Sequence, residues 1–269
     1  MKIIDSILTD AASIAAIRKA IHAHPELCFQ EVRPADVVAQ QLTDWGIPIH
    51  RGMGTTGVVG IVQGRDGGAC GRGIGLRADI DALPMQEFNT FAHASKHQGK
   101  MHACGHDGHT AMLLAAAKHI AQKAAFSGTV NLIFQPAEEG LGGAKKMMED
   151  GLFTQFPCDA VFGMHNMPGH PQGQLVFRDG SAMASSDNVT ITIEGTGGHG
   201  AVPHRAADPV VAGSAIVMGL QSIVARNIDP QEMAIITVGA FNAGVANNVI
   251  PQHATLKLSV RSLNREVRI

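Results

Sequence analysis

The segment over residues 108–125 is rich in alanine and apolar around its whole circumference. A helix of this kind is buried on all sides, because a surface helix keeps a polar face. Strand-like runs stand on either side of it, residues 73–80 before it and residues 129–134 after it. This order predicts a parallel pair of strands with the buried helix packed across the sheet.

The same pattern continues in both directions. The further predicted elements are helices over residues 11–22, 34–45 and 141–150 and strands over residues 57–62 and 159–165. The runs at residues 129–134 and 159–165 are typical of strands buried on both faces. Residues 1–180 are therefore predicted to form an α/β domain whose mostly parallel sheet has helices on both faces. Ligands of such a sheet belong at the carboxyl ends of its strands.

A second pattern begins near Gly180, where apolar and polar residues alternate as in a sheet with one solvated face. The predicted elements are a strand around residues 189–193, a helix over residues 207–225 and strands over residues 233–241 and 254–260. This order is the first part of a ferredoxin-like α+β unit, which needs one more helix and strand. A further helix begins at residue 264, so we expect a domain over residues 181–269 that is truncated at its C-terminus.

Charge and cysteine content narrow the class of function. The 21 basic and 23 acidic residues give a net charge of −2 without long runs of either sign, which indicates neither nucleic acid nor a membrane surface as a partner. The sequence has no run of roughly eighteen apolar residues and no signal-peptide order at its start, so a cytoplasmic location is expected. Its four cysteines form no Cys-x-x-Cys pair, which argues against a disulfide framework.

Cys104 and His106 lie two residues apart just before the long apolar helix. In an extended segment both side chains can point the same way. Thiolate and imidazole together suit Zn²⁺, or Co²⁺, Ni²⁺ and Mn²⁺, better than Mg²⁺ or Ca²⁺. The alternative is a buried cysteine beside a histidine and an aspartate that cap the helix. The metal site is favoured because five histidines lie close together: His93, His97, His102, His106 and His109.

Three further segments carry polar side chains at predicted strand ends. Adjacent carboxylates such as Glu138 and Glu139 commonly mark a solvated loop, but there they can also point in different directions. One could then bind a metal while the other takes a proton from water. His165 ends another strand, and Asp79 and Asp81 end a third. Because all these segments are expected at one edge of one sheet, the sequence predicts a metallohydrolase site.

Five motifs strongly resemble the M20 metallopeptidase family, and in particular its amidohydrolase branch. That branch includes hippurate hydrolases, N-acyl-amino-acid amidohydrolases and plant auxin-conjugate hydrolases. The motifs are residues 76–84, 102–110, 134–140, 163–165 and 197–204. The resemblance covers the whole chain, and the motifs are specific as a set. It implies a zinc-peptidase-like catalytic domain, a smaller lid or dimerisation domain, and a homodimer formed through that lid.

The resemblance also implies roles for residues of the catalytic domain. The implied ligands of a two-metal centre are Cys104, His106, Glu139 and His165. Glu138 would be the general base that activates water, and Asp81 would orient a ligand from behind. Asp79 stands where other M20 branches carry a metal-binding histidine, so its role stays open.

In the lid, the resemblance makes His199 the residue that stabilises the tetrahedral oxyanion, often across a dimer interface. Asn248 and Arg261 would contact the substrate, and the arginine could hold a carboxylate with two hydrogen bonds. Each has an ordinary structural alternative, as a turn residue for His199 and Asn248 and as a strand-face charge for Arg261. The last metal ligand of the family, a histidine after the lid, is absent from this sequence.

The implied activity is hydrolysis of the amide bond of an N-acyl-L-amino acid such as hippurate. The implied cofactors are two divalent ions, of zinc, manganese, cobalt or nickel. A dipeptidase or a deacetylase of an acetylated diamino acid is the alternative within this class, because the motifs do not determine the acyl group. A further alternative is an inactive fragment that only binds metal or dimerises.

Overall fold

The computed structural model describes residues 4–123 and 125–268. The chain divides into two compact units, Met1–His170 and Pro171–Ile269. This boundary lies somewhat earlier in the chain than the one expected after residue 180. The second unit therefore includes residues 171–180, which the sequence analysis placed in the catalytic domain.

The first unit contains the predicted helices and strands in the predicted order. Its elements in chain order are α1 (Asp5–His22), α2 (Val32–Asp44), β1 (Ile49–Met53), β2 (Gly57–Gln63), β3 (Gly73–Asp79), α3 (His106–Lys123), β4 (Thr129–Gln135), α4 (Gly143–Glu149), α5 (Leu152–Gln155) and β5 (Ala160–Gly163). Helices α1 and α3 begin earlier than predicted. The predicted helix over residues 108–125 includes Ala124, which lies outside the described residues. Strand β1 and helix α5 were not predicted.

The five strands form one mixed sheet in the order β1-β2-β4-β3-β5. Strand β3 pairs in parallel with both β4 and β5. Strand β2 is antiparallel to both β1 and β4. The expected mostly parallel sheet is therefore correct only for β3, β4 and β5. The short connection between β1 and β2 accounts for the antiparallel direction of that pair, because a parallel pair needs a crossover of a dozen or more residues.

Strand β4 is the centre of the core and supplies side chains to both faces of the sheet. Leu132 and Phe134 are fully buried on the face covered by α2 and α3. Ile133 points to the opposite face and belongs to a second buried cluster with Met147 of α4 and Leu152 of α5. This alternation follows from the period of two along a strand. It confirms that residues 129–134 form a strand buried on both faces, with helices on each.

Strand β5 differs from the sequence prediction. Residues 159–165 were expected to form a buried strand, but all four residues of β5 are exposed. Within the described residues β5 is an edge strand, because β3 is its one neighbour in the sheet. An apolar run therefore predicted the strand correctly and its burial wrongly.

The second unit has the predicted order of strand, helix, strand and strand. Its elements are β6 (Ser185–Glu194), β7 (Gly198–His199), a 3₁₀ helix (Pro203–Arg205), α6 (Pro209–Asn227), β8 (Ala234–Ala243), β9 (Val249–Ile250), β10 (His253–Ser262) and α7 (Arg265–Arg268). Strands β6, β10 and β8 form an antiparallel sheet, and β7 pairs with β9. Helix α6 packs on β8 and β10.

Helix α6 starts at a strong N-terminal signal. Asp208 accepts hydrogen bonds from the backbone N–H groups of Val210 at 2.8 Å and Val211, and Pro209 is the first helical residue. Among the described residues, α6 alone is long and apolar enough to cross a membrane by length and composition. A single helix of this kind is weak evidence for a membrane span, because core helices of other proteins pass the same test.

Candidate metal centre

Polar side chains from four segments meet at the carboxyl ends of β3, β4 and β5. Polar groups are expected there, because loops follow the strands at this edge of a parallel sheet. The residues are Asp79 and Asp81 at and after the end of β3, Cys104 and His106 at the start of α3, Glu138 and Glu139 after β4, and His165 after β5. The structure therefore brings together all the residues of the catalytic domain that the sequence analysis selected.

Two groups of three residues within this set have the spacing of a metal site, and His106 belongs to both. One is Cys104, His106 and His165, and the other is His106, Glu138 and Glu139, with ligand atoms within 4.8 Å of one another. Cys104 Sγ lies 3.3 Å from His165 Nε2. His106 Nε2 lies 3.7 Å from Glu139 Oε1 and 3.9 Å from Glu138 Oε2. Sulfur, nitrogen and oxygen ligands therefore converge on one small volume.

Hydrogen bonds set the direction of both histidine rings. His106 Nδ1 lies 3.0 Å from Asp81 Oδ1, and His165 Nδ1 lies 2.6 Å from the backbone oxygen of Asn166. A neutral imidazole that donates from Nδ1 keeps its lone pair on Nε2. Both Nε2 atoms thus face the site as potential ligands, in the arrangement that metal-binding histidines usually have.

Asp81 connects three parts of the site through its two carboxylate oxygens. Oδ1 accepts the His106 ring proton, and Oδ2 accepts the backbone N–H of Glu139 at 2.9 Å and the thiol of Cys28 at 3.3 Å. Burial acts to raise the pKa of Asp81, but the hydrogen bonds with His106 and Glu139 hold it below its ordinary value. Asp81 is therefore an ionised acceptor that fits the orienting role implied by the resemblance.

The donor set fits a divalent cation. His106 Nε2 and Glu139 Oε1 are buried and have no hydrogen-bond partner within the described residues. Burial raises the pKa of the Cys104 thiol to about 12, and the nearby Glu139 and Glu138 add to this effect. A bound divalent ion would reverse it, because a coordinating thiol is deprotonated. The same ion would satisfy the two unpaired atoms, which otherwise carry a desolvation cost.

Glu138 differs from Glu139 in its exposure. The side chain of Glu138 is 43% exposed, compared with 18% for Glu139. Burial is the main cause that raises the pKa of Glu138, followed by the charges of Asp79 and Glu139, while His106 and Arg77 oppose the change. A carboxylate with a raised pKa exchanges protons more easily near neutral pH. These properties fit a general base at the solvent side of the site.

The structure clarifies the surroundings of Asp79, whose role the sequence left open. Asp79 Oδ1 accepts from His109 Nδ1 at 2.6 Å, and Oδ2 accepts from Arg77 Nη1 at 2.8 Å. Burial acts to raise the pKa of Asp79, but the His109 hydrogen bond and the charges of His106 and Arg77 lower it to about 2. Asp79, His106 and His109 also have metal-site spacing, yet both oxygens of Asp79 already have donors. We interpret Asp79 as a support for the site.

His109 and Asn166 were not selected as site residues from the sequence. His109 Nε2 accepts the backbone N–H of Asn166 at 3.1 Å, which links α3 to the residue after His165. A signal for His109 existed, because it follows His106 by three residues and so shares its face of α3. Apart from its position next to His165, nothing in the sequence indicated that Asn166 belongs to the site.

Not all of the five histidines that favoured a metal site lie in the candidate metal centre. His97 forms a hydrogen bond with His24 at 3.1 Å, and the ring of His93 stacks on Phe91. His102 is buried, and burial lowers its pKa to about 4. Of the five histidines that favoured a metal site, those in groups with metal-site spacing are His106 and His109.

Gly105 lets the Cys104–His106 segment approach the strand end closely. Its φ of +93° is in the left-handed region, and a Cβ atom at this position would lie 2.4 Å from Asn166 Oδ1. Any side chain would therefore displace the Asn166 amide and strain the backbone at this position.

The remaining predicted site residues lie in the second unit. His199, in β7, and Asn248 are on neighbouring segments, because the Gly200 N–H donates to the Asn248 backbone oxygen at 2.8 Å. Arg261 lies in β10, in register with Ser186 of β6 and Ile235 of β8. All three side chains belong to exposed residues. The structure thus brings together His199 and Asn248, and places Arg261 on the larger sheet of this unit.

Replacement of Asp81 by Asn should weaken metal binding by roughly 10- to 100-fold, the usual effect of losing a partner that orients a ligand. The amide is uncharged and can present an N–H to His106 instead of an acceptor. Competition with a chromophoric chelator measures the affinity. The matched control is Asp159→Asn, because Asp159 accepts the Gly73 N–H at the opposite end of β3. Equal affinity in both variants would contradict the orienting role.

A mixed sheet with helices on both faces gathers thiol, imidazole and carboxylate groups at its strand ends, around two unpaired buried atoms, which is the arrangement expected of a metal-dependent hydrolase. Comparison with known proteins gives the family. The profile of Peptidase family M20/M25/M40 matches residues 75–257. The chain belongs to this family.

The relatives of this chain include amide-cleaving enzymes. It is 50% identical to hippurate hydrolase of Campylobacter jejuni over 268 residues, which cover 100% of this chain and 69% of the relative. It is 42% identical to N-acetylcysteine deacetylase of Bacillus subtilis over 254 residues, which cover 94% of this chain and 66% of the relative. The chain thus spans about two thirds of the length of these relatives.

A solved structure supports the fold and the family. The YXEP protein of Bacillus subtilis, described as a dinuclear metal-binding peptidase of the M20 family, superposes with a TM-score of 0.76 at 37% sequence identity. The match covers 97% of this chain and 67% of that chain. The resemblance stated from the sequence motifs and the mixed α/β fold are therefore confirmed.

Proposed function

We propose that this chain provides the metal centre of an amidohydrolase that cleaves N-acyl-L-amino acids of the hippurate type. The observation that carries the proposal is the pair of buried, unpaired atoms His106 Nε2 and Glu139 Oε1, which face a thiol and a second imidazole. The 50% identity to hippurate hydrolase supports the substrate class.

The proposed ligands are Cys104, His106, Glu139 and His165, with two divalent ions of zinc, manganese, cobalt or nickel. When bound, the ions polarise the amide carbonyl and lower the pKa of water. A thiol beside two imidazoles favours these ions over magnesium and calcium. His106 and His165 present Nε2 because their Nδ1 atoms are held by Asp81 and by the Asn166 backbone oxygen.

Glu138 is the proposed general base. It takes a proton from the attacking water and returns it to the nitrogen of the leaving amino acid. Its raised pKa and its 43% exposure support this role, because it can exchange protons while it remains next to His106. Glu139 is less suited, since its side chain is more buried and its Oε1 lacks a partner within the described residues.

His199 is the proposed oxyanion donor. The backbone N–H of Ala201 donates to His199 Nδ1 at 3.0 Å, so a neutral ring carries its proton on Nε2. An exposed Nε2–H can donate to developing negative charge, an interaction typically worth about 3–4 kcal/mol in the transition state. Asn248, on the neighbouring segment, is proposed to contact the substrate, and Arg261 to hold its carboxylate.

The proposed partner is a small N-acyl amino acid, with a homodimer formed through the second unit. The near balance of charges supports neither nucleic acid nor a membrane surface as a partner. A cytoplasmic location is also proposed. The deacetylase relative makes N-acetylcysteine the second candidate substrate.

Metal content and benzoyl-glycine hydrolysis of the purified 269-residue chain test the proposal. We expect that treatment with EDTA abolishes hydrolysis and that Zn²⁺, Mn²⁺, Co²⁺ or Ni²⁺ restores it. N-Acetylcysteine and acetyl-diaminopimelate complete the substrate panel and separate the alternative activities. A folded chain that binds metal but hydrolyses none of these amides would support the inactive alternative and contradict the proposed activity.

A further inference from the structure

The segment between α1 and α2 contacts residues next to the candidate metal centre. The proposed mechanism gives these contacts no role. It pairs with the residues after β3: Leu27 forms a β-bridge with Ala82, and the Ala82 N–H donates to the Glu26 backbone oxygen at 2.9 Å. From this position it sends two side chains towards the site. Cys28 donates to Asp81, and Glu31 reaches the turn that precedes Glu138.

Glu31 is a carboxylate buried without direct access to solvent. Its residue exposure is 0%, and both of its oxygens accept hydrogen bonds. Oε1 accepts the backbone N–H of Ala137 at 2.8 Å, and Oε2 accepts the hydroxyl of Thr56 at 2.6 Å. A buried carboxylate is costly and persists where its acceptor capacity is used. Its side chain does not cap α2, although Glu31 occupies the N-cap position of that helix.

The hydrogen bond from Glu31 stabilises an unusual backbone conformation at Ala137. Its φ is +50°, in the left-handed region that residues with a Cβ atom seldom adopt. It is fully buried, and its backbone oxygen accepts the N–H of Gly143 at 3.0 Å. Glu31 and Gly143 therefore hold the Ala137 backbone from both sides. A non-glycine residue keeps such a conformation only when the surrounding structure determines it.

The conformation of Ala137 decides where the next two side chains point. Glu138 and Glu139 follow it directly, and the Glu139 N–H is in turn held by Asp81 at 2.9 Å. If the Ala137 N–H lost its acceptor, it would be an unpaired buried donor, and the turn could relax to an unstrained conformation. Both carboxylates would then move relative to His106.

We propose that Glu31 is a positioning residue of the metal centre: its carboxylate holds Ala137 in the left-handed conformation and thereby sets the direction of Glu138 and Glu139. This inference rests on the proposed function for its kinetic consequence, but its structural part concerns only residues of this chain. The hydrogen bonds of the Glu31 carboxylate go to the Ala137 backbone N–H and the Thr56 hydroxyl, so its proposed effect on Glu138 and Glu139 acts through the backbone.

Three variants test the proposal. Glu31→Ala removes the acceptor, Glu31→Gln keeps one oxygen for the Ala137 N–H, and Thr56→Val removes only the other hydrogen bond. The readouts are the affinity for Co²⁺ and the visible absorption of the bound Co²⁺, which reports ligand geometry. The kinetic readouts are kcat and KM for benzoyl-glycine, and circular dichroism with thermal unfolding monitors the fold.

We expect Glu31→Ala to change the Co²⁺ spectrum and to lower kcat by roughly 100-fold, the effect of misplacing a reacting group by about 1 Å, with a much smaller change in KM. Glu31→Gln and Thr56→Val should both keep the spectrum and kcat of the unchanged chain. A folded Glu31→Ala chain with unchanged spectrum and kcat would overturn the proposal. Equal losses in Glu31→Ala and Thr56→Val that follow their melting temperatures would also overturn it, since they would indicate a role in stability alone.

Three further outcomes also bear on the proposal. If Glu31→Ala does not fold, Glu31→Met takes its place, because it fills the same volume without an acceptor; if neither folds, Glu31 acts in folding and the proposal is wrong. If the unchanged chain binds Co²⁺ but hydrolyses no amide, the proposed function fails, whereas the spectrum still tests the positioning role. A chain that binds no Co²⁺ overturns both.

Discussion

Replacement of Glu138 by Gln should lower kcat for benzoyl-glycine by roughly 10²- to 10⁴-fold, the usual contribution of a general acid–base residue. Glutamine keeps the size of the side chain but cannot accept a proton from water at neutral pH. Because glutamine has the same size and Glu138 is 43% exposed, the fold should be unaffected. Steady-state kinetics at saturating substrate measure the effect.

Metal content makes this result specific. The Glu138→Gln chain should bind as much metal as the unchanged chain, because the proposed ligand is Glu139. The matched control is Glu149→Gln in α4, whose carboxylate is exposed and pairs only loosely with Lys145 at 3.9 Å. Comparable kcat values for Glu138→Gln and Glu149→Gln would remove Glu138 from the mechanism.

Replacement of His106 by Ala should lower both the metal affinity and the unfolding free energy of the chain. His106 belongs to both of the candidate ligand groups that contain Cys104 and Glu139, so metal affinity should fall below detection. His106 is also fully buried beside Asp81 and Asp79. Removing one member of a buried pair typically costs about 3–5 kcal/mol of unfolding free energy, and here Asp81 Oδ1 would lose its donor while it stays buried. Urea denaturation in EDTA measures this loss without metal.

His165→Ala separates the two effects. His165 is exposed, so its removal should weaken metal binding while the unfolding free energy in EDTA changes by no more than about 0.5 kcal/mol, as for most surface substitutions. If His106→Ala left the metal-free stability unchanged, the buried contact with Asp81 would not stabilise the fold. If it retained metal, His106 would not be a ligand.

The position of the site could be predicted from the sequence because it depends on local order. The apolar runs that form β3 and β4 are recognisable, and the polar residues that follow them meet at the strand ends for geometric reasons. Cys104 and His106 precede α3 in the same way. The burial of Leu132, Ile133 and Phe134 also followed from the composition of their run.

Other features depend on contacts that a single sequence does not display. Residues 49–53 have neither a regular alternation nor a long apolar run, so β1 was missed, and with it one of the two antiparallel pairs of the sheet. Strand β5 has the composition of a buried strand but one neighbour among the described strands. Nothing in the sequence indicated the hydrogen bond between Glu31 and Ala137, because it joins residues 106 positions apart through a backbone N–H.

That separation of 106 residues affects the folding kinetics of the chain. Contacts between distant residues form late, since the entropy of closing a long loop opposes them until other interactions compensate. We therefore expect the turn at Ala137, and with it the mutual placement of Glu138 and Glu139, to be completed only after α2 and β4 have come together. Metal ions that need both carboxylates would then bind after this part of the chain has folded. On this expectation they would slow unfolding more than they speed folding.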